Sequence, residues 1–341
     1  MRYTGVVNAV SAARRLSLRG LAYIAIFGLG QVLCQEPTGT SVLRPQSEAN
    51  SSPSGDAGGT PPIHVNSDLV VIPVTVTDHK GRIVGGLQKE HFALYEDKVE
   101  QAITHFASEE APVSIILVLD TSDSMRPKLA KAREAVAALL DNANPQDEFS
   151  LVEFNQVARL TVKFTTKAEE VRDRLAMVRT GGGTALLDAV KVALDEMKKA
   201  CHTRKAIIII SDGEDNASHY SVAELRNAVR QADALVYAIG IFDWEPYSQA
   251  GTPQRLTGSA LLDEIAKQTG GRLFQVSGLK QLPAIAAKIG AWLRNQYILA
   301  YAPSSQQKNG RYHHIQVKIT RPDGFPRLRG YWRLGYYTPA E

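Results

Sequence analysis

Cysteine is scarce in this sequence: only Cys34 and Cys201 occur among 341 residues. Two cysteines exclude the disulfide frameworks that stabilise many small secreted domains. Common catalytic patterns are also missing, because the sequence contains no G-x-S-x-G, H-E-x-x-H, C-x-x-C or P-loop motif. Packing must therefore supply the stability, and we do not expect an enzyme.

Acidic residues are missing from the first 34 residues, which contain four arginines and an apolar stretch over Gly20–Cys34. This layout is typical of a secretory signal. The apolar stretch is shorter than the roughly 18–20 residues that a membrane-spanning helix needs. We predict that residues 1–34 are a signal peptide for export to the periplasm, the cell surface or the extracellular space. An uncleaved anchor and a lipidated Cys34 are the alternatives.

A basic surface is also missing once this segment is set aside. Removing four arginines and no acid lowers the formal net charge from +4 to 0. Binding of nucleic acid needs a basic face that neutralises phosphates, so nucleic acid is excluded as a partner. Contact with a membrane is expected only through the N-terminal segment, if that segment stays uncleaved.

Large apolar residues are nearly absent from residues 35–62, which are rich in Pro, Gly and Ser. Such a segment buries too little surface to offset the entropy of ordering, so we predict a disordered linker. In residues 63–111, valines and isoleucines alternate with other residues and predict an N-terminal β segment. The same alternation returns in residues 295–341 and predicts a C-terminal β segment. Neither is large enough to fold comfortably alone, so we expect the two to pair in a small antiparallel β-sandwich.

Between these segments, residues 112–294 alternate continuous apolar runs with amphipathic helices. The runs are typical of strands buried on both faces: SIILVL, FSLVEF, AIIII and ALVYAIGIF. Strand–helix alternation predicts an α/β domain with a doubly wound, mostly parallel sheet flanked by helices. The order along the chain implies that this domain is inserted in, or flanked by, the small β-sandwich.

The stretch VLDTSDSM follows the first of these runs and places Asp120 at the carboxyl end of a central strand. This edge is where open α/β sheets present ligand sites. Capping of the next helix needs one oxygen, whereas Asp120, Ser122 and Ser124 recur at every second residue. A curled loop with this spacing directs three hard oxygen ligands at one point, as Mg²⁺ requires.

Two further segments supply oxygens at the same predicted edge. Thr184 lies in a glycine-rich loop, RTGGGTALL, that opens a helix, and Asp212 follows the strand AIIII. The order Asp120-x-Ser122-x-Ser124, Thr184, Asp212 resembles the complete metal-ion-dependent adhesion site of von Willebrand factor type A domains. The resemblance covers about residues 112–294. The flanking segments further resemble exported proteins of acidobacteria that carry a related domain.

The resemblance implies a function in binding. Ser122 and Ser124 would be direct ligands of Mg²⁺, or of Mn²⁺ or Ca²⁺, and Thr184 a direct or water-mediated one. Asp120 and Asp212 would act mostly through water, which leaves the ion positive enough to take an Asp or Glu of a partner protein. The alternative is a structural β-sandwich protein whose metal site only stabilises it.

An Asp at a strand end, such as Asp120, also serves as the phosphoryl acceptor of haloacid-dehalogenase-like hydrolases. Those enzymes need a second acid two residues further on, where this sequence has Ser122, so we do not expect a hydrolase of this kind. Trp244 and Tyr247 lie in a loop expected near the metal edge, where they are candidate partner contacts. His313 and His314 are neighbours in a predicted strand, so they point to opposite faces and are expected to be packing or surface residues.

Overall fold

The computed structural model describes residues 69–108, 110–242, 258–276, 278–303 and 310–338. The predicted signal peptide, residues 1–34, and the predicted linker, residues 35–62, lie outside the described residues. So do Trp244 and Tyr247. Within the described part of the chain, no helix is long and apolar enough to cross a membrane.

Strands and helices alternate through the middle of the chain, and among the described residues on either side of this part the structure consists of strands and one 3₁₀ turn. The strands are β1 Val70–Thr77, β2 Phe92–Glu96, β3 Val99–Gln101, β4 His105–Ala107, β5 Val113–Asp120, β6 Glu148–Phe154, β7 Ala158–Thr165, β8 Arg204–Ser211, β9 Leu235–Gly240, β10 Leu273–Gln275, β11 Tyr297–Tyr301, β12 Tyr312–Ile319, β13 Arg329–Trp332 and β14 Gly335–Tyr337. The helices are α1 Leu129–Asp141, α2 Ala168–Met177, α3 Leu186–Met197, α4 Val222–Gln231, α5 Gly258–Gln268 and α6 Leu282–Arg294, with short 3₁₀ turns at Lys89–His91, Asp123–Met125 and Leu279–Gln281.

The central sheet has six strands in the order β10-β9-β8-β5-β6-β7. All neighbours pair in parallel except β6 and β7, which are antiparallel. Helices cover both faces. Side chains of α1, α2 and α6 pack on one face, and those of α3, α4 and α5 pack on the other. The predicted doubly wound α/β fold is therefore confirmed.

The central strand β5 shows why the apolar run is continuous. Ile115, Leu117 and Leu119 pack into the core on one face of the sheet, and Ile116 and Val118 pack into the core on the other. A strand buried on both faces leaves little place for a charge within the sheet, and the polar residue inside β5, Ser114, is neutral and hydrogen-bonded to Glu148. The first carboxylate therefore appears where the strand ends.

Strands from the two ends of the chain form two antiparallel four-stranded sheets, in the orders β13-β1-β11-β4 and β14-β12-β2-β3. In the first sheet β1 pairs with β11 and β13, and in the second β12 pairs with β2. Their inner faces share one apolar core that includes Ile72, Leu94, Leu299, Tyr301 and Val317. Each sheet thus combines strands from before and after the α/β part.

Helix α6 connects the α/β part to this β structure. Trp292 is almost fully buried, and its ring stacks on Tyr331 of β13 with centroids 5.3 Å apart. Its indole N–H donates to the carbonyl of Gly81, 3.1 Å away, in the turn after β1. The helix continues directly into β11, so the two parts are joined both covalently and by packing.

Candidate metal centre at the carboxyl edge of the sheet

Asp120 closes β5 and lies completely buried beneath the loop that follows. Its Oδ1 accepts a hydrogen bond from the backbone N–H of Ser122 at 2.9 Å. Its Oδ2 accepts one from the hydroxyl of Ser211, the last residue of β8, at 2.6 Å. The neighbouring strand therefore fixes the orientation of the carboxylate through a residue that the sequence pattern did not single out.

The hydroxyls of Ser122 and Ser124 are hydrogen-bonded to each other, with 3.0 Å between the two Oγ atoms. Neighbouring ligands in an octahedron around an ion with metal–oxygen distances of roughly 2.0–2.1 Å are about 2.9–3.0 Å apart. The two hydroxyls thus have the separation of adjacent magnesium ligands. Neither hydroxyl caps a helix. The residue that immediately precedes α1 is Lys128, and the side chain of Ser122, which precedes the 3₁₀ turn, makes no capping hydrogen bond to it.

The glycine-rich loop is tied to this loop by three hydrogen bonds. The N–H of Asp123 donates to the carbonyl of Gly182 at 3.1 Å, and the N–H of Gly182 donates back to the Asp123 carboxylate at 3.0 Å. Gly181 donates to the carbonyl of Thr121 at 2.8 Å. Gly182 has a φ of +84°, which favours glycine. These contacts bring the buried Thr184 to the edge that carries Asp120.

The segment after β8 holds Thr184 from the other side. The Thr184 N–H donates to the side-chain carbonyl of Asn216 at 2.8 Å, and the Asn216 N–H donates to the Thr184 carbonyl at 2.9 Å. Asp215 accepts hydrogen bonds from the N–H groups of Leu186 and Leu187 at the start of α3. Its carboxylate therefore helps to satisfy N–H groups at the start of the helix, together with the Ser218 hydroxyl, which also accepts from Leu187.

Asp212 lies just past β8 and is nearly buried, as predicted for a strand-end residue. Its Oδ1 accepts from the N–H of Glu214 at 3.3 Å, and its Oδ2 lies 3.4 Å from the ammonium of Lys128. Only 3% of the Lys128 side chain is exposed. Motif spacing does not single out Lys128, although the residue lies four positions before Ala132 on the buried stripe of α1, where a charge is unusual.

Burial governs the electrostatics of Asp120. The pKa of Asp120 is raised to about 6, chiefly by burial and also by the negative charge of Asp212, while hydrogen bonds from Ser211 and Ser122 partly oppose the shift. Among the described residues, the groups that hydrogen-bond to Asp120 are neutral. A hard divalent cation would offset this charge, and the donors at this edge are all oxygens. The residues present therefore fit such an ion.

A second cluster of potential ligands lies in the β structure. Nδ1 of His313 lies 2.9 Å from Oε1 of Glu96 and 3.0 Å from Oδ2 of Asp97. It is the one group of three or more His, Cys, Asp or Glu side chains at ligand spacing among the residues with described positions. Nε2 of His313 is buried without a hydrogen-bond partner in this part of the chain. A metal ion on Nδ1 would leave the ring proton on Nε2, where it would be buried without an acceptor. The arrangement therefore favours a hydrogen bond from Nδ1–H to the carboxylates.

Comparison with known proteins agrees with the geometry. Residues 115–214 match the family model of the von Willebrand factor type A domain. The chain is 29% identical over 146 residues to inter alpha-trypsin inhibitor heavy chain 4 of Mus musculus, which covers 38% of this chain and 16% of that protein. It is 25% identical over 187 residues to an uncharacterized protein of Borreliella burgdorferi, covering 49% of this chain and 54% of the relative. The chain therefore spans about half or less of the length of these relatives.

Two solved structures are also similar to this chain. A von Willebrand factor type A protein from Catenulispora acidiphila has a TM-score of 0.47 at 15% identity, covering 81% of this chain and 74% of that one. The von Willebrand factor domain of the type V pili tip protein Mfa5 from Porphyromonas gingivalis has a TM-score of 0.41 at 13% identity, covering 54% and 95%.

The residues that match the family model, 115–214, include most of β5, all of β6, β7 and β8, and every residue of the candidate site. The match to the family model and the sequence relatives support a von Willebrand factor type A domain in the middle of this chain.

Proposed function

We propose that this protein is an exported module that binds a partner protein through a divalent cation. Asp120, Ser122, Ser124, Thr184 and Asp212 would hold Mg²⁺, or Mn²⁺ or Ca²⁺ in its place. When bound, the ion would supply an open coordination position for an Asp or Glu side chain of the partner. Domains of the von Willebrand factor type A family commonly bind a divalent ion and mediate protein–protein interactions, which supports the proposal.

The observation that carries the proposal is the 3.0 Å separation of the Ser122 and Ser124 hydroxyls above the buried carboxylate of Asp120. Neutral hydroxyls as direct ligands leave an ion most of its charge, whereas carboxylate ligands would neutralise it. Both oxygens of Asp120 already accept hydrogen bonds, and this fits a supporting role beneath the ligands. We infer binding rather than catalysis, because an ion held by neutral hydroxyls stays positive enough to take the carboxylate of a partner.

Export is the part of the proposal that depends on residues 1–34. The arginines and the apolar stretch favour transfer across a membrane, with a final location in the periplasm, on the cell surface or outside the cell. Expression of the full chain with a C-terminal tag, followed by N-terminal sequencing of the mature product, tests this. A product that retains its first residue and stays inside the cell would contradict export.

A pull-down with the mature protein tests the binding function. The protein is immobilised and exposed to extracts of its own cells with either magnesium or EDTA, and Asp120→Ala is the matched control. We expect at least one protein to be retained only with magnesium and only by the unmutated chain. Retention that is the same in EDTA would favour the alternative, a structural β-sandwich protein with a metal site that only stabilises it.

A further inference from the structure

Lys128 is part of the same turn as the serine hydroxyls. Its N–H donates to the carbonyl of Met125 at 2.9 Å, and its carbonyl accepts from the N–H of Ala132 at 3.0 Å in the first turn of α1. The side chain is buried, and its ammonium lies 3.4 Å from Oδ2 of Asp212. The backbone that positions Ser122 and Ser124 therefore also holds a fixed positive charge against one of the acids of the site.

The ammonium of Lys128 weakens cation binding in two ways. Without a cation, it compensates the charge of Asp212, which would otherwise add a second uncompensated buried carboxylate near Asp120. With a cation, it repels the ion, and burial keeps water from screening that repulsion. The first route stabilises the metal-free protein and the second destabilises the loaded one, so both weaken cation binding.

We propose that Lys128 sets the cation affinity of the site and keeps Asp212 away from direct coordination, an inference that rests on the proposed function. Oδ2 of Asp212 faces the ammonium and Oδ1 faces the N–H of Glu214, so both oxygens are already engaged. An ion held mainly by the hydroxyls stays electrophilic toward an incoming carboxylate. Lys128 thus lowers the affinity of the protein for the ion and raises the affinity of the bound ion for an acidic partner.

Titration of the purified full chain with Mg²⁺ alone tests the inference. The unmutated protein is compared with Lys128→Met, which keeps the length of the side chain and removes its charge, and with Lys128→Arg, which keeps the charge. We expect the half-saturating Mg²⁺ concentration to fall at least about tenfold in the methionine variant and to stay within about twofold in the arginine variant. Lys131→Met is the matched control, because this lysine lies on the same helix, is partly exposed and pairs with Glu134.

Mn²⁺ provides a second readout, since the relaxation of water protons reports how many waters remain on the ion. We expect fewer bound waters in Lys128→Met, because the released Asp212 carboxylate replaces one of them. The melting temperature in EDTA should also fall in this variant. Lys128→Gln repeats the test if the methionine variant does not fold.

The outcomes separate the two proposals. Equal or weaker Mg²⁺ binding by the methionine and glutamine variants, with normal binding by the unmutated protein, would overturn the role of Lys128 alone. Tighter binding by Lys131→Met as well would also overturn it, because a general loss of positive charge would then explain the effect. If Mg²⁺ binds none of these proteins, the metal centre itself is wrong and the proposed function fails with it.

Discussion

Two groups of carboxylates in this protein, each with at least one buried member, are balanced in different ways. In the β structure, Glu96 and Asp97 share the ring Nδ1 of His313, and Glu96 also accepts a 2.7 Å hydrogen bond from the hydroxyl of Tyr301. At the sheet edge, the described donors to Asp120 are one hydroxyl and one backbone N–H.

The first group contains its own partners, and the second leaves its carboxylate with a raised pKa. A buried carboxylate without a charged partner costs stability, and such an arrangement is typical of a site that meets an external ligand. The difference between the two groups therefore favours a structural cluster in the β structure and the proposed binding site at the sheet edge. Four predictions test this difference, in order of decreasing expected effect.

Replacing His313 by Ala should lower the free energy of unfolding by about 3 kcal/mol, because the buried Glu96 and the exposed Asp97 lose their shared donor and a cavity is left. Urea denaturation measures the change. His314→Ala is the matched control: this neighbour is exposed on the opposite face of β12, so a change within about 0.5 kcal/mol is expected. Equal effects of the two substitutions would show that His313 does not hold the cluster together.

In the metal-free protein, the contributions of the two groups to the free energy of unfolding should change with pH in opposite directions. The pKa of Asp120 is raised from 3.8 to about 6, so the folded state binds its proton more tightly and stability is lost as pH rises through this window. Two pKa units correspond to about 3 kcal/mol. The pKa of Asp97 is lowered, chiefly by the N–H of His314, so its contribution is lost as pH falls below the ordinary range.

Urea denaturation in EDTA between pH 4 and pH 7, with Asp120→Asn as the comparison, measures the contribution of Asp120. The unmutated protein should lose stability relative to the asparagine variant as pH rises. Parallel pH profiles for the two proteins would contradict an isolated carboxylate at Asp120.

Magnesium should distinguish the groups directly. At one hundred times its half-saturating concentration, an ion that binds only the native state raises the free energy of unfolding by about 2.7 kcal/mol. We expect this gain in the unmutated protein at pH 7.5, its absence in Asp120→Asn, and its retention in His313→Ala. Loss of the gain in the histidine variant would place the ion in the β structure instead.

Asp215 should contribute the smallest effect. Asp215→Ala removes the acceptor of the first N–H groups of α3 and should cost about 1 kcal/mol, as other helix caps do. Asp215→Asn retains an acceptor oxygen and should change the free energy of unfolding by only about a few tenths of a kcal/mol. Because Asp215 supports the Thr184 loop, Mg²⁺ should bind more weakly to the alanine variant than to the asparagine variant. Identical Mg²⁺ titrations of the two variants would show that Asp215 does not support the metal site.

Much of the fold follows from local patterns in the sequence. The apolar runs SIILVL and AIIII predict strands buried on both faces, and they correspond to β5 and β8. The spacing of Ser221 and Glu224 is that of a capping box, which opens α4, and Gly270, with a φ of +84°, follows the end of α5. The antiparallel edge strand β7 and the short strand β10 were not predicted, because an edge strand needs no continuous apolar run and three residues carry too weak a pattern.

The sequence by itself determined which oxygens can serve the site: Asp120, Ser122 and Ser124 are close along the chain, and Thr184 and Asp212 follow from their places beside the sheet. Only the tertiary structure decided how these residues are supported. Lys128 meets Asp212 across 84 residues, and Ser211 meets Asp120 across 91. Contacts of this kind leave no period or spacing in the sequence, because the order of strands in the sheet brings them together. The charge balance of the candidate site is therefore a property of the folded chain.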